Sequence, residues 1–565
     1  MNRWPRFVKS LPRETEIANL IAMPDIVLTT LNAKFIHAAF GLRYLFANLG
    51  ELQPRAVIAE FDINLRLLDI AETLLAREPK IIGFGVYIWN VTETTEVITA
   101  IKKIRPEIKI ILGGPEVSYE TEGQKIVELA DHVITGEADL KFAEVCRVLL
   151  NQSVGDEVTS LTSENPKSEI RNPKLLETPH VVSYPKIIAA ELPEFSKIIF
   201  PYDFYTDADL AHRIVYVEAS RGCPFTCEFC LSSLDIPVRQ VPLDKFLAAM
   251  QKLLDRGLKQ FKFVDRTFNL NIATSKTLLE FFLARYQPGM FFHFEMIPDR
   301  LPAELRTVIA KFPLGSLQFE VGIQTFNPEV GALISRRQNY ERLADNFNFL
   351  RNETSVHIHA DLIVGLPGET LESFAAGFDQ LIALHPQEIQ VGILKRLRGT
   401  PIVRHDAEWQ MIYNAHPPYE ILQNKLLDFA MMQRLRRFAR YWDLVGNSGN
   451  FIATAPLIWS NNISPFNNFL RFSDWLYAKI NRTDSIALVR LMELLFEFLT
   501  QELALDAKLV AETFWRDCQR TGRRDAPNFL KEFLPEENWS TIRERDRSLP
   551  KRQSRHSRTG ILPVQ

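Results

Sequence analysis

The sequence predicts an α/β protein built from an N-terminal doubly wound parallel sheet, a partial (β/α)6 TIM-like barrel and a helical C-terminal domain. Three observations predict it. Between residues 24 and 148, short β-branched runs alternate with helical stretches. The same alternation resumes between residues 214 and 400. Beyond residue 401 the apolar period becomes helical, with aromatic residues recurring along it. Repeated βα units with apolar strands imply parallel sheets. Such sheets bind ligands outside the C-terminal ends of their strands.

A chain of 565 residues exceeds one typical domain, and roughly two to four are expected. Its net charge of -3 gives no electrostatic argument for nucleic acid or an anionic membrane. No apolar run reaches the roughly 18 residues that span a bilayer. Five cysteines, three of them in one loop, speak against a disulfide scaffold and for a reducing, cytoplasmic setting. Residues 1–23 read as an extension, with Arg3, Arg6, Lys9 and Arg13 ahead of a short apolar patch. Met23 could be the true start, and an ordinary surface extension is the alternative.

In the first domain, residues 25–30, 56–63, 80–89, 109–118 and 132–139 read as strands. Ligand contacts are expected near 31–37, 87–90, 113–118 and 136–138. No G-x-G-x-x-G follows the first strand, so a dinucleotide site is poorly supported. Gly113, Gly114 and Gly136 admit a large flat ligand to the backbone or simply make tight turns. Residues 149–213 form the connection. Residues 151–174 have linker composition, and 184–205 read as an aromatic, Pro-rich strap.

In the core, residues 214–220, 260–265, 291–296, 316–323, 356–365 and 388–394 read as strands. The segment RGCPFTCEFC, residues 221–230, follows the first of them and holds Cys223, Cys227 and Cys230 in a C-x3-C-x2-C spacing. Three thiolates can hold three irons of a 4Fe–4S cluster and leave the fourth open. A zinc knuckle or a purely structural cluster is the alternative, although the nearest histidine, His212, precedes the strand. Polar residues gather at the strand ends: Asp265, Arg266 and Asn269; Glu295; Glu320, Gln324 and Thr325; and the segment DLIVGLPGET, 361–370. Each acid is also explained as an ion-paired or capping carboxylate.

The cysteine spacing, with Phe229 between the last two, resembles the radical S-adenosylmethionine (SAM) enzymes. The resemblance implies that SAM chelates the open iron through its amino and carboxylate groups. It further implies that an electron from the cluster cleaves it to methionine and a 5′-deoxyadenosyl radical. By the same resemblance Asp265 stands where the family meets the SAM amino group, although Val-Asp-Arg replaces the usual Gly-Gly-Glu-like motif. Gln324 lies on the segment similar to the family's ribose-side strand, Glu295 at the end of the third strand is a further SAM-binding candidate, and backbone at Gly365, Leu366 and Pro367 lines the adenine. An electron donor such as flavodoxin or ferredoxin is implied. The substrate, a small or lipid-like molecule, is not read from the sequence.

A five-stranded α/β domain ahead of such a core is similar to the cobalamin-binding domain of cobalamin-dependent radical SAM enzymes. The GGPEVS and GEAD turns carry that likeness. It implies cobalamin contacts at Tyr87, Gly113, Gly114, Pro115, Glu116, Gly136 and Glu137. The D-x-H-x-x-G segment that brings a histidine to cobalt is absent, so a protein histidine ligand is not implied; His37 is a ligand or a packing histidine. Methyl transfer is the commonest outcome in similar enzymes. A radical SAM enzyme without cobalamin and a non-enzymatic iron–sulfur redox protein are the alternatives. The methylthiotransferases that modify transfer RNA are discounted, because their first domain carries three cluster cysteines and this one has only Cys146.

From residue 419 the pattern becomes helical, with helices expected at 420–443, 466–480, 485–503 and 508–520 and Asp484 capping the third. Trp409, Tyr413, Tyr441, Trp442, Trp475 and Trp515 are expected in its core. Residues 546–565 read as a disordered basic tail. The region 401–545 resembles a C-terminal domain of unknown function found on some cobalamin-type radical SAM proteins.

Overall fold

The computed structural model describes residues 23–161, 184–235, 237–460, 464–522, 527–534 and 551–557. The extension at 1–22, the linker residues 162–174 and the tail at 546–550 and 558–565 lie outside the described residues. The chain divides after Thr206 into two compact units.

The first unit is one parallel sheet. Its strands are β1 (Ile26–Asn32), β2 (Ala56–Asp62), β3 (Ile81–Gly85), β4 (Lys109–Gly113), β5 (His132–Thr135) and β6 (Ile187–Ala189). Their order is β2-β1-β3-β4-β5-β6. Alternate residues of one strand feed two separate cores, as a period of two requires. Val27, Leu31, Ile82, Phe84, Ile110 and Leu112 pack on one face. Ile26, Leu28, Ile81, Ile111 and Ile134 pack on the other, beside Phe142 and Cys146. The third, fourth and fifth strands are shorter than read. The fourth ends at Gly113 because Gly114 takes a φ of 108° and starts a 3-10 turn, Pro115–Val117. The linker reading also needs correction. The helix Lys141–Leu161 runs past the expected boundary at 148, and the strap supplies β6.

The second unit begins with a split parallel barrel. Its strands are β7 (Val215–Val217), a small ladder of β8 (Ser220–Arg221) with β9 (Arg239–Gln240), then β10 (Gln260–Phe263), β11 (Phe291–Met296), β12 (Leu317–Gln324), β13 (His357–Val364) and β14 (Glu388–Ile393). The main sheet runs β14-β13-β12-β11-β10-β7, so β7 and β14 are its two free edges. One face is aromatic: Phe261 stacks on Phe292 at 5.5 Å and Phe263 meets Phe294 at 4.4 Å. The other face carries polar side chains.

Helices Phe429–Val445, Pro465–Ile480, Leu488–Glu497 and Ala507–Arg520 follow. Phe438, Trp442, Phe466 and Phe469 pack the first two of these helices together, with centroids 4.8 Å apart for Trp442–Phe469. Tyr441, Trp442 and Trp515 are buried as expected, whereas Trp409, Tyr413 and Trp475 are only partly so. Three expectations are corrected here. Residues 420–428 are not helical: β15 (Ile412–Tyr413) pairs antiparallel with β16 (Ile421–Gln423), and Asp428 caps the helix that follows. Tertiary pairing of Ile421 N–H with the Leu394 carbonyl wins over local helical preference. Asp484 caps nothing, because the chain turns through a left-handed Ser485 and the helix starts after Ala487. Within the expected disordered tail, Lys551–Ser557 is a helix. His556 is buried with its ring nitrogen 3.1 Å from the Asn447 carbonyl, and Arg555 donates to the Ser448 carbonyl. Composition alone cannot register such docking. Among the described residues no helix is long and apolar enough to cross a membrane.

Candidate active site

The cysteine loop leaves the C-terminal end of β7. Cys223 and Cys227 are buried and Cys230 is partly so. Gly222, at φ 89°, starts the loop; a Cβ there would lie 2.7 Å from the Asp235 carbonyl oxygen, so only glycine fits. Cys223 N–H donates to that same carbonyl at 3.1 Å. Burial pushes the Cys227 thiol up, Arg336, whose Nη1 stands 3.6 Å from its sulfur, draws it down, and Cys230 and Cys223 push it up again. Among the described residues no three Cys, His, Asp or Glu side chains converge on a single ion. A four-iron cube instead needs each sulfur on its own iron, and three thiols on one loop with a guanidinium beside them suit that group.

Asp265 is buried, and its oxygens accept Ala219 N–H at 3.0 Å and the Ser220 hydroxyl at 2.6 Å. Burial raises its carboxyl to about 7. Glu295 lies 3.6 Å from Arg266, and burial raises it too. Gln324 has a φ of 73° at the irregular end of β12, where Arg336 bonds the Gly322 carbonyl. Gly365 has a φ of 91°, and the Ile421 side chain fills the space a Cβ would need. Leu366 and Pro367 are buried beside it. Phe229 is partly buried within the cysteine loop.

Sequence reading places Glu295, Glu320 and the segment from Asp361 at strand ends but misses Lys262, His293 and His359, and with them the continuous polar face of the sheet. Lys262, His293, Glu320, His359 and Asp361 alternate with the buried aromatic and aliphatic positions of β10 to β13, and Glu295 sits in register with Glu320. His293 lies 3.1 Å from Glu320. Burial lowers His293. Burial would raise Glu320, but the His293 contact and nearby charges hold it below the usual carboxylate range. Asp361 is driven well above that range by burial and by Glu320 and Glu295. The signal was present as the period-two runs FKF, FHFE and HIHAD. Glu369, within the segment 361–370, is buried, accepts the Thr325 hydroxyl at 2.6 Å, and burial lifts it to about 7.

In the first unit, the strand order reverses direction between β1 and β3, the place where such sheets bind a ligand. Asn90 stitches that point, its amide donating to Thr30 Oγ1 at 3.1 Å and to the Leu31 carbonyl at 3.0 Å. Tyr87 and Trp89 stack there at 4.5 Å, and Trp89, Phe35 and Ile36 remain exposed. Burial, then Glu60, pushes the Tyr87 phenol up. Gly114 is accounted for by packing: a Cβ would lie 2.4 Å from the Val86 carbonyl oxygen. Pro115 is exposed and Glu116 buried in the same turn. Ser118 joins the two glycine turns, donating to the Gly114 carbonyl at 2.9 Å and accepting Gly136 N–H at 3.4 Å. Gly113 and Glu137 are partly buried and Gly136 is exposed. This exposed aromatic edge, with glycine turns beside it, suits a broad planar group. His37 is partly buried on the exposed β1 loop.

Comparison with known proteins agrees with this division. A B12 binding domain model matches residues 26–146, the radical SAM superfamily model matches 217–381, and a model of a protein of unknown function, DUF4080, matches 407–558. An uncharacterized methyltransferase of Pyrococcus horikoshii is 24% identical over 60% of this chain and 71% of its own length. The radical S-adenosylmethionine methyltransferase TsrM from Kitasatospora setae, solved with a tryptophan substrate and a SAM analogue, superposes with a TM-score of 0.50 at 18% identity, covering 72% of this chain and 81% of that one. The cobalamin-dependent SAM radical enzyme OxsB, solved with aqua-cobalamin and SAM, superposes with a TM-score of 0.55 at 13% identity, covering 92% and 85%. At these identities the structural likeness bears on fold.

Proposed function

This chain is a radical SAM protein with a B12-binding domain ahead of its core and a DUF4080 region behind it, and from that premise we propose that it is a cobalamin-dependent methyltransferase acting on a polar small molecule. Its cofactors are a 4Fe–4S cluster, SAM and cobalamin. When bound, the cluster supplies the electron that cleaves SAM, and cobalamin carries a methyl group.

The protein's own part is placement. Cys223, Cys227 and Cys230 hold the cluster. Asp265 braces the start of their loop through Ala219 and Ser220. The backbone at Gly365–Pro367 and the irregular end of β12 at Gln324 flank the same mouth. Tyr87, Trp89 and the turns at Gly113 and Gly136 would receive cobalamin. The observation that carries the reading is the cysteine triplet at the C-terminal end of the first strand of a split parallel barrel.

A polar substrate is favoured over a lipid-like one by the face that carries Lys262, His293, Glu295, Glu320, His359 and Asp361. Leaving such groups dry against an acyl chain would cost several kcal/mol. The proposed electron donor is a flavodoxin or ferredoxin, and the proposed location is the cytoplasm, where thiolates stay reduced.

Anaerobic reconstitution with iron and sulfide, followed by reduction in the presence of SAM, should yield 5′-deoxyadenosine by chromatography. A cobalamin absorbance titration of the same preparation should saturate at one site. A fully loaded cluster that yields no 5′-deoxyadenosine would overturn the reading.

A further inference from the structure

Between two cysteine ligands sits a glutamate whose every polar atom is engaged. Glu228 is only 2% exposed. Its N–H donates to the Ile334 carbonyl at 3.1 Å, and its own carbonyl accepts Ile402 N–H at 3.0 Å. Oε1 accepts the Ser335 hydroxyl at 2.6 Å and is paired with Arg404. Oε2 lies 2.9 Å from Nε2 of the buried His405, which also stands 3.1 Å from the Leu333 carbonyl.

The origin of these partners is what matters. The cysteine loop follows β7, one free edge of the split barrel. Residues 333–335 follow β12, and residues 401–405 follow β14, the other free edge. Glu228 therefore ties the two unpaired edges together at the mouth. Pro224, Phe225 and Thr226, in the first half of the loop, are exposed. The second half, which carries Cys227 and Cys230, is held at Glu228.

We propose that Glu228 is a positioning residue: it latches the cysteine loop across the open seam of the barrel and so sets where Cys227 and Cys230 present the cluster to SAM. The inference rests on the function proposed above. It also gives the segment at 401–405, just before the DUF4080 region, a part in the cluster environment. A buried carboxylate held by a hydroxyl, an imidazole and a guanidinium is a stiff anchor, because such bonds are shorter and stronger than neutral ones.

The test compares the reconstituted full chain with Glu228→Ala and Glu228→Gln, reading the electron paramagnetic resonance spectrum of the reduced cluster with and without SAM, and the SAM dissociation constant by equilibrium dialysis. The Ala variant should take up iron yet lose or broaden the SAM-induced change in g-values, with SAM binding weakened about tenfold, the worth of one charge-assisted hydrogen bond. The Gln variant, which keeps an acceptor for Ser335, should fall between. Where the Ala variant does not fold, Ser335→Ala carries the same readouts and should shift them in the same direction. An unchanged spectrum and affinity in the Ala variant, or in Ser335→Ala as its substitute, would overturn the latch while leaving the enzyme reading intact. A wild-type protein that assembles no cluster would sink both.

Discussion

Ser220 donates its hydroxyl to Asp265 at 2.6 Å, across the gap between the ends of β7 and β10. The same carboxylate takes Ala219 N–H, so the chain entering the cysteine loop is fastened to the neighbouring strand three residues before Cys223. Family likeness puts an acid here for SAM. The structure shows that this acid first organises the loop.

That contact predicts a pH dependence. Burial raises Asp265 to about 7 in the folded chain, while an unfolded aspartate titrates near ~4. Between those values the folded state holds a proton that the unfolded state has released, so stability falls as pH rises from about 4 to 7 and then levels. Asp265→Asn removes this titration. Its unfolding free energy, measured in denaturant at pH 5 and pH 8, should vary less than that of the wild type, by roughly 2–4 kcal/mol.

The cysteines divide into two classes. Replacing Cys223, Cys227 or Cys230 with alanine should reduce bound iron to a small fraction of the wild-type content after reconstitution, with 5′-deoxyadenosine lost. Cys146 is buried in an apolar cluster, where burial pushes its thiol far up, and Cys518 is buried as well. Cys146→Ala and Cys518→Ala should keep iron and cleavage at wild-type levels.

Gly114→Ala should destabilise the chain by roughly 2–4 kcal/mol, since it combines a left-handed backbone with a methyl group driven into the Val86 carbonyl. Denaturant midpoints measure it. Cobalamin affinity should fall with it, because Ser118 ties this turn to Gly136.

Thr325→Ala strips the hydroxyl from buried Glu369. Glu369 then keeps only the longer Ser373 contact at 3.4 Å. A loss of about 1–3 kcal/mol is expected by equilibrium unfolding at pH 8, where the carboxylate is charged.

Ending the chain at residue 550 removes the helix Lys551–Ser557 and leaves the Asn447 and Ser448 carbonyls without His556 and Arg555. A lower melting temperature is expected, equivalent to about 1–3 kcal/mol.

The amino-acid sequence by itself determined the two parallel sheets, because alternating apolar runs of strand length leave little choice of period; β11 begins and ends where the pattern says. It also determined the cysteine triplet, since ligand spacing is local. Only the tertiary structure decided what surrounds them. Glu228 is an ordinary surface-type residue until Ser335, Arg404 and His405 arrive from over a hundred positions away. Residues 551–557 are a basic tail until Asn447 and Ser448 offer carbonyls. Hydrogen-bond partners distant along the chain leave no periodicity behind, and a buried charge is identified only by what is folded around it.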